Sequence, residues 1–167
     1  MKQLWAPWRL SYIASDSEKK ESGCFLCRYR DSQNDAENFV VSRTESCLVV
    51  LNRYPYNNGH LLIAPREHLA ELEDLDDSVL LECVQQIKRM TNVLKRTINP
   101  QGFNVGLNLG AAAGAGLPGH LHWHIVPRWN GDTNFMSVID DVTVIPQSLN
   151  ALYDLLTTDL ARENANP

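Results

Sequence analysis

The sequence predicts a single α+β domain in which a mostly antiparallel sheet is accompanied by one long central helix and a C-terminal helix. Its 167 residues, 44% of them hydrophobic, are enough to bury a core without disulfide bonds. The apolar patterns follow the order strands, helix, strands, helix, which is typical of segregated rather than alternating elements. Within residues 1–167 we expect an N-terminal arm over 1–23, the core over 24–136 and a C-terminal extension with the last helix over 137–167.

The first half of the chain predicts one short helix and three strands. Residues 24–30 form the helix, and a polar turn follows over 31–38. The strands are short apolar runs bounded by turn-forming residues, at Phe39–Val41, Cys47–Leu51 and His60–Ala64. Between the last two strands, residues 52–59 are rich in Asn, Pro and Gly and predict a loop.

The second half predicts the long helix, two further strands and the last helix. Asp76 to Thr97 is the long helix, because apolar residues recur there every three or four positions, at Leu80, Val84, Ile87, Met90 and Leu94. Phe103 to Leu109 alternates apolar and polar residues, as a half-buried strand does. Small residues fill the loop 110–119, a histidine-bearing strand follows, and the last helix begins near Pro146.

Composition and charge exclude several classes of protein. A formal net charge of −5 argues against a dedicated nucleic-acid surface, which normally carries a basic excess. Apolar runs stay below the roughly 18–20 residues that cross a bilayer, and residues 1–9 lack the uninterrupted apolar stretch of a signal peptide. We therefore expect a cytoplasmic protein with no nucleic-acid or membrane partner.

The most informative run is His120 to Val126, which contains three of the five histidines. Side chains of a strand alternate between its faces, so we expect His120, His122 and His124 on one face and the apolar residues between them on the other. Such a row either binds a metal ion or acts on a phosphate group. Three histidines buried merely as core residues would require many polar partners.

Geometry bears on the choice between metal and phosphate. Positions i to i+4 of one strand span roughly 13 Å, whereas zinc ligands lie about 2 Å from the ion, so three ligands from one straight strand would be strained. A neutral imidazole is a competent nucleophile toward a phosphate ester, and a neighbouring imidazole can donate to a phosphate oxygen or leaving group. The Gly/Ala loop before the row would let backbone N–H groups approach a phosphate closely.

The four cysteines fall into two kinds. Cys47 and Cys83 stand alone in apolar stretches and are expected to be small buried residues. Cys24 and Cys27 form a Cys-Phe-Leu-Cys motif, which in a cytosolic chain indicates either a redox pair or half of a zinc site. No thioredoxin-like pattern surrounds the motif, which favours the metal.

The run His120-Leu121-His122-Trp123-His124-Ile125-Val126 resembles the signature of the histidine-triad (HIT) superfamily, and so do the neighbouring residues 58–65, 104–110 and 127–128. The resemblance covers roughly residues 24–136 and implies a HIT-like fold. Four flanking runs are similar to the bacterial diadenosine-tetraphosphate phosphorylase branch of the superfamily, at residues 4–9, 51–57, 102–108 and 127–135.

The resemblance implies a role for each matching residue. His122 would attack the α-phosphate and become nucleotidylated, and His124 would hydrogen-bond the phosphate oxygens or the bridging atom. The remaining substrate contacts would come from Asn52 near the ribose, Asn108 near the phosphate or ribose, and Gly114 and Gly116 of the phosphate-binding loop. His60 would support the site. Many relatives carry Gln, Ser or Thr just before the triad, whereas this chain has Gly116-Leu117-Pro118-Gly119, which leaves that contact to backbone amides.

The same resemblance gives the Cys-x-x-Cys motif its partners. In zinc-containing relatives two cysteines bind the metal together with a downstream histidine and the first histidine of the triad, and these positions match Cys24, Cys27, His68 and His120. Such a Cys₂His₂ set leaves no open coordination position, so the zinc would be structural. The alternative is a pair of reduced thiols without metal.

The function implied by the resemblance is nucleotidyl transfer or hydrolysis on dinucleoside polyphosphates, diadenosine tetraphosphate above all, through a nucleotidyl-histidine intermediate. Either inorganic phosphate or water would accept the nucleotidyl group. Three alternatives stay open: a HIT-type phosphoramidate or adenylyl hydrolase, a zinc hydrolase or hydratase with the triad as ligands, and a non-catalytic nucleotide sensor.

The resemblance also implies a homodimer, because HIT proteins usually pair so that the sheet continues across the interface. Two aromatic segments could reach a partner's site. They are the arm with Trp5, Trp8 and Tyr12, and the segment 129–136.

Overall fold

A computed structural model describes residues 23–132 and 145–165, and a five-stranded sheet is the centre of the described part. Neighbouring strands are all antiparallel, in the order β1-β2-β3-β5-β4. The strands are β1 (Val40–Arg43), β2 (Cys47–Leu51), β3 (Leu61–Pro65), β4 (Gly102–Leu107) and β5 (Trp123–Arg128). The last of the described strands is therefore inserted between β3 and β4, which confirms the predicted mostly antiparallel α+β architecture.

Four helices accompany the described sheet. They are α1 (Phe25–Asp31), α2 (Asp35–Asn38), α3 (Asp77–Ile98) and α4 (Leu149–Ala165), with single 3-10 turns at Leu72–Asp74 and Ala111–Ala113. The long central helix and the C-terminal helix are thus confirmed. None of these helices combines the length and the apolar character that a membrane span requires.

Both faces of the central strands are covered, which explains why β2 and β3 are buried along their whole length. Because strand residues alternate between faces, one set points to α3 and α4 and the other to α1. The first set includes Val49, Leu51, Ile63 and Ile125, packed against Met90 and Leu94 of α3 and Leu152 and Leu156 of α4. The second set, Leu48, Val50 and Ala64, packs against Leu26 and Tyr29 of α1. The helix with the Cys-x-x-Cys motif therefore lies on the sheet face opposite α3.

The two isolated cysteines meet in the core, where Cys83 of α3 packs against Cys47 of β2. Cys47 and Cys83 are both fully buried, and their Sγ atoms lie 3.2 Å apart. All four cysteines are free thiols. The expectation of small buried residues at these two positions is confirmed.

Several predicted boundaries are wrong by a few residues. The predicted polar turn contains α2, and Phe39 does not begin a strand, because it ends α2 with a left-handed φ of 54°. His60 precedes β3, and β5 begins at Trp123, so His120 and His122 lie just before the strand. The last helix begins at Leu149, where the Ser148 hydroxyl accepts the N–H of Ala151 at 3.3 Å as an N-cap.

The predicted apolar faces are exposed at three positions. Val105 and Leu109, on the apolar side of the predicted strand 103–109, are 46% and 45% exposed. Val84 is 48% exposed, whereas Cys83, Met90, Val93 and Leu94 of the same helix are fully buried. A three-to-four residue spacing places Val84 at the margin of the apolar stripe, and no described element covers that flank of α3. The aromatic arm (Trp5, Trp8, Tyr12) and residues 133–136 lie outside the described residues.

Candidate active site and metal centre

The histidine run divides between the two faces of the sheet as predicted. Leu121, Trp123 and Ile125 belong to the core under α3. His124 lies opposite Leu62 of β3 and Gly106 of β4, so its side chain lies on the α1 face. All three histidines of the run approach that face, but their side chains serve two separate clusters.

The position of the proton on His122 follows from its partner. Nδ1 of His122 lies 2.8 Å from the backbone carbonyl oxygen of His120. A carbonyl oxygen only accepts hydrogen bonds, so Nδ1 carries the proton and donates it. The lone pair is then on Nε2, and a neutral imidazole with an available lone pair is a nucleophile.

His60 supports the site by fixing the orientation of His124. Nδ1 of His60 accepts the backbone N–H of Tyr56 at 3.1 Å and lies 3.2 Å from the amide Nδ2 of Asn52. Because both of those groups donate, the proton of His60 is on Nε2. That Nε2 lies 2.9 Å from Nδ1 of His124. His124 therefore accepts at Nδ1 and carries its own proton on Nε2.

Nε2 of His124 is buried and has no hydrogen-bond partner within the described ranges. A buried donor without a partner costs about 1–3 kcal/mol, and an acceptor oxygen on a ligand would remove that cost. Burial and the nearby His124 and His122 rings lower the pKa of His60 to about 3. Burial and His122 lower the pKa of His124 to about 4. Both rings are therefore neutral near pH 7, as the hydrogen bonds require.

The turn before His60 depends on a glycine. Gly59 has a φ of +79°, and a Cβ at this position would lie 2.7 Å from Cδ1 of Ile98. The amide of Asn57 donates to the carbonyl of Pro127 at 3.1 Å. The loop is thus fixed against the end of β5, which brings His60 to the histidine row.

A cavity of about 780 Å³ opens beside His122 and His124. One side is formed by α1, α2 and the segment between them, and the other by the end of β2, the loop after it and the small-residue loop before the triad. Its lining residues include Phe25, Arg28, Tyr29, Asn52, Arg53, Tyr54, Tyr56, Gly116 and Leu117. A pocket of this size accommodates a nucleotide.

The four predicted substrate contacts take different positions. Asn52 and Gly116 line the cavity. Both ends of the Asn52 amide are bound inside the protein, because Nδ2 meets His60 and Oδ1 accepts the N–H of Tyr54 at 3.0 Å. Asn108 and Gly114 do not line it; Nδ2 of Asn108 lies 3.5 Å from the carbonyl of Gly114. Asn108 thus contacts the loop that carries Gly116.

Sequence reasoning missed the part of the cavity wall that comes from α1. Phe25 lies within the Cys-x-x-Cys motif, and Arg28 and Tyr29 follow it directly in the sequence. All three line the cavity. Their spacing carries no signal for ligand binding, because the packing of α1 over β2 decides which of its side chains face the histidines.

The four predicted metal ligands form one cluster. One ligand atom from each of Cys24, Cys27, His68 and His120 can be chosen so that all lie within 4.8 Å of one another. Nδ1 of His120 lies 3.1 Å from Sγ of Cys24 and 3.2 Å from Nδ1 of His68. Sγ of Cys27 lies 3.3 Å from Nδ1 of His68.

The donor set fits a tetrahedral metal ion. With Zn–N near 2.0 Å and Zn–S near 2.3 Å, neighbouring ligand atoms are about 3.3–3.8 Å apart, close to the separations in the cluster. Nε2 of His120 lies 2.9 Å from the carbonyl oxygen of Pro65, so its proton is there and Nδ1 offers a lone pair to the cluster. Burial lowers the pKa of His120, which favours the neutral ring that a metal ligand requires. The cluster is able to bind a metal ion.

Comparison with known proteins shows the family. A family model described as the HIT domain matches residues 33–131. An AP-4-A phosphorylase from Mycobacterium tuberculosis (strain H37Rv) is 40% identical over 168 residues, covering 98% of this chain and 86% of that protein. The chain belongs to the HIT family.

Solved structures agree on the fold. A Zn-bound histidine triad family protein from Mycobacterium smegmatis has a TM-score of 0.70 at 24% identity, covering 87% of this chain and 98% of that one. A HIT family protein from Bacillus anthracis has a TM-score of 0.61 at 25% identity, covering 87% and 96%.

The hydrogen-bond directions predict a defined set of tautomers. At pH 7, nitrogen-15 NMR of histidine-labelled protein is expected to show His122 protonated at Nδ1, and His60 and His124 protonated at Nε2. Because their pKa values are about 3 and about 4, His60 and His124 are expected to stay neutral at pH 5.5. A doubly protonated His124 ring at that pH would contradict the assignment. Spectra of the Asn52→Ala variant, which lacks one donor to Nδ1 of His60, serve as the comparison for the His60 signals.

Proposed function

We propose that the protein is a nucleotidyltransferase of the diadenosine tetraphosphate phosphorylase type, with His122 as the nucleophile. The observation that supports this most directly is the hydrogen bond from Nδ1 of His122 to the carbonyl of His120, since it leaves the Nε2 lone pair available beside the cavity. The 40% identity with an AP-4-A phosphorylase over 98% of the chain supports the choice of reaction and substrate.

In the first step, Nε2 of His122 attacks the α-phosphorus and the bond from phosphorus to the bridging oxygen breaks. Nδ1 keeps its proton, so the nucleotidylated ring becomes cationic and the carbonyl of His120 stabilises it. Nε2–H of His124, which is buried without a partner among the described residues, donates a hydrogen bond to the leaving oxygen. The leaving nucleotide departs as a polyphosphate anion, so no proton transfer is needed.

The transferred nucleotidyl group binds on the α1 side of the cavity. The ring of Phe25, which packs edge-on against the buried Tyr29, would offer aromatic surface to the base, and the end of β2 with Asn52 would lie toward the ribose. Backbone N–H groups near Gly116 would bind the phosphates, because no side chain there blocks their approach. Gly114 and Asn108 contribute to the shape of that loop.

In the second step, an oxygen of inorganic phosphate attacks the adenylyl group and the electron pair of the P–N bond returns to Nε2. Phosphate is already an anion at neutral pH, whereas attacking water must lose a proton. The neutral rings of His60 and His124, with pKa values of about 3 and about 4, are weak bases for that purpose. This difference favours phosphorolysis, with ADP and ATP as products.

Replacement of the nucleophile tests the mechanism. The His122→Asn variant is expected to lose at least about 1,000-fold in kcat while its circular dichroism spectrum remains that of the wild type. Wild type mixed briefly with labelled diadenosine tetraphosphate in the absence of phosphate should carry a base-stable, acid-labile adenylyl label, and the variant should carry none. Activity above a few per cent in the variant contradicts the mechanism, and AMP as the product in the presence of phosphate contradicts the choice of acceptor.

We propose zinc as the ion of the Cys24, Cys27, His68 and His120 cluster. Two thiolates and two imidazoles at tetrahedral spacing suit zinc, and the closed ligand set gives the ion a structural role. The bound ion would link α1 to the segment that leads into β5. Cysteine ligands must stay reduced, which suits the cytoplasm as the compartment.

Removal of one ligand separates the structural from the catalytic interpretation. Cys24→Ser is expected to lose zinc by elemental analysis and to lower Tm by several degrees, because ion binding contributes to folding. It should retain measurable turnover at low temperature, since His122 attacks phosphorus without the ion. The control is Cys83→Ser, which should retain the metal because Cys83 lies outside the cluster. Wild type with full activity and less than about 0.2 zinc per chain contradicts the proposal.

We also propose a homodimer in which the β4 edges of two sheets pair. No described strand pairs with the outer edge of β4, and Val105 and Leu109 beside it are 46% and 45% exposed. Apolar surface next to an unpaired edge strand favours pairing with an identical edge.

A charge placed on that edge tests the dimer. Wild type at micromolar concentration is expected to show about twice the chain mass of 18.8 kDa in light scattering, and Val105→Lys is expected to shift it toward the monomer. Leu155→Lys changes an exposed leucine of α4 and should leave the dimer intact. A monomeric wild type, or an equally large effect of both changes, contradicts the proposal.

A further inference from the structure

Two tyrosines at the cavity expose unusually large apolar surfaces. Tyr54 is 60% exposed and Tyr56 is 58% exposed, among the most exposed large hydrophobic residues that the structure describes. Both line the cavity that contains His122 and His124. Both rings are therefore accessible to a ligand in the cavity.

The backbone that presents these rings is fixed. The N–H of Tyr54 donates to Oδ1 of Asn52 at 3.0 Å, and the N–H of Tyr56 donates to Nδ1 of His60 at 3.1 Å. Pro55 between them restricts φ. The segment is therefore preorganised, which lowers the entropic cost of binding a flat ligand on its rings.

The position of Tyr56 relates the pair to the leaving group. Its ring stacks on that of His124, with centroids 5.8 Å apart and an interplanar angle of 19°. In the proposed reaction His124 donates to the leaving oxygen, which departs in line, on the side of phosphorus opposite His122. In the proposed binding mode the transferred nucleoside lies beside Phe25 of α1, which leaves Tyr54 and Tyr56 as the aromatic surface next to the leaving group.

We propose that Tyr54 and Tyr56 form a stacking platform for the base of the leaving nucleotide, so that the site selects substrates with two nucleosides over those with one. The inference rests on the proposed nucleotidyl transfer and deepens it. The step itself is unchanged: the bond from Nε2 of His122 to phosphorus forms, the bond from phosphorus to the bridging oxygen breaks, and the leaving nucleotide takes the electron pair. Aromatic stacking recognises any base through its π-face.

The test compares two substrates that differ only in the second nucleoside. Diadenosine tetraphosphate and adenosine 5′-tetraphosphate have the same phosphate chain and the same transferred AMP. The measured quantity is the ratio of kcat/KM for the first substrate to kcat/KM for the second. Stacking of one base on an aromatic side chain typically changes affinity by about 5- to 150-fold, so we expect this ratio to fall about tenfold in Tyr54→Ala. Tyr54→Phe, which retains the ring, should keep the ratio within about twofold.

One further control and two contradicting outcomes complete the test. Leu155→Ala removes an exposed apolar side chain outside the cavity and should leave the ratio unchanged. A Tyr54→Ala ratio equal to that of wild type, including the case in which both substrates slow equally, overturns the platform. A wild type that transfers AMP from neither substrate overturns the proposed function instead. Tyr56 is unsuitable for this test, because its ring also contacts His124.

Discussion

His120 is the residue on which the described site depends, because three of its polar atoms have different partners. Its ring Nε2 donates to the carbonyl of Pro65, its Nδ1 faces the two thiols and His68, and its own carbonyl accepts the proton of His122. The two bonds to carbonyl oxygens each have only one allowed direction. The Cys/His cluster and the proposed nucleophile are therefore both oriented by one residue, buried to 1% exposure, and a shift of its backbone would affect both.

A second series of hydrogen bonds with fixed directions connects neutral groups. A backbone N–H and the Asn52 amide fix His60, and His60 fixes His124. Serine hydrolases use a carboxylate for a comparable purpose. Here a carboxylate beside His124 would repel a polyphosphate in a low-dielectric site, whereas an amide and a peptide N–H align the ring without adding negative charge. Burial then keeps both rings neutral, as their low pKa values show.

The predictions from sequence succeeded where a pattern was long and regular. The period of two in residues 120–126 correctly assigned the apolar residues to the core, and the 22-residue helix α3 matches its predicted range closely. They failed at margins: Val84 belongs to the apolar period but lies on a flank that nothing described covers. Periodicity gives the direction of a side chain on its own element, and it does not give the extent of the neighbouring element.

The sequence by itself determined the residues that can do chemistry: three alternating histidines, a Cys-x-x-Cys pair, His60 and His68, and a loop without bulky side chains. The family resemblance already divided these residues, with His120 among the metal ligands and His122 and His124 in catalysis. The tertiary structure supplied the physical reason: it placed His120 with the cysteines, and His122 and His124 at the cavity, because α1 packs over β2 and β3 on the histidine face. It also decided where each proton lies. Carbonyl oxygens and backbone N–H groups from distant parts of the chain set those positions, and the linear sequence carries no record of which groups will meet.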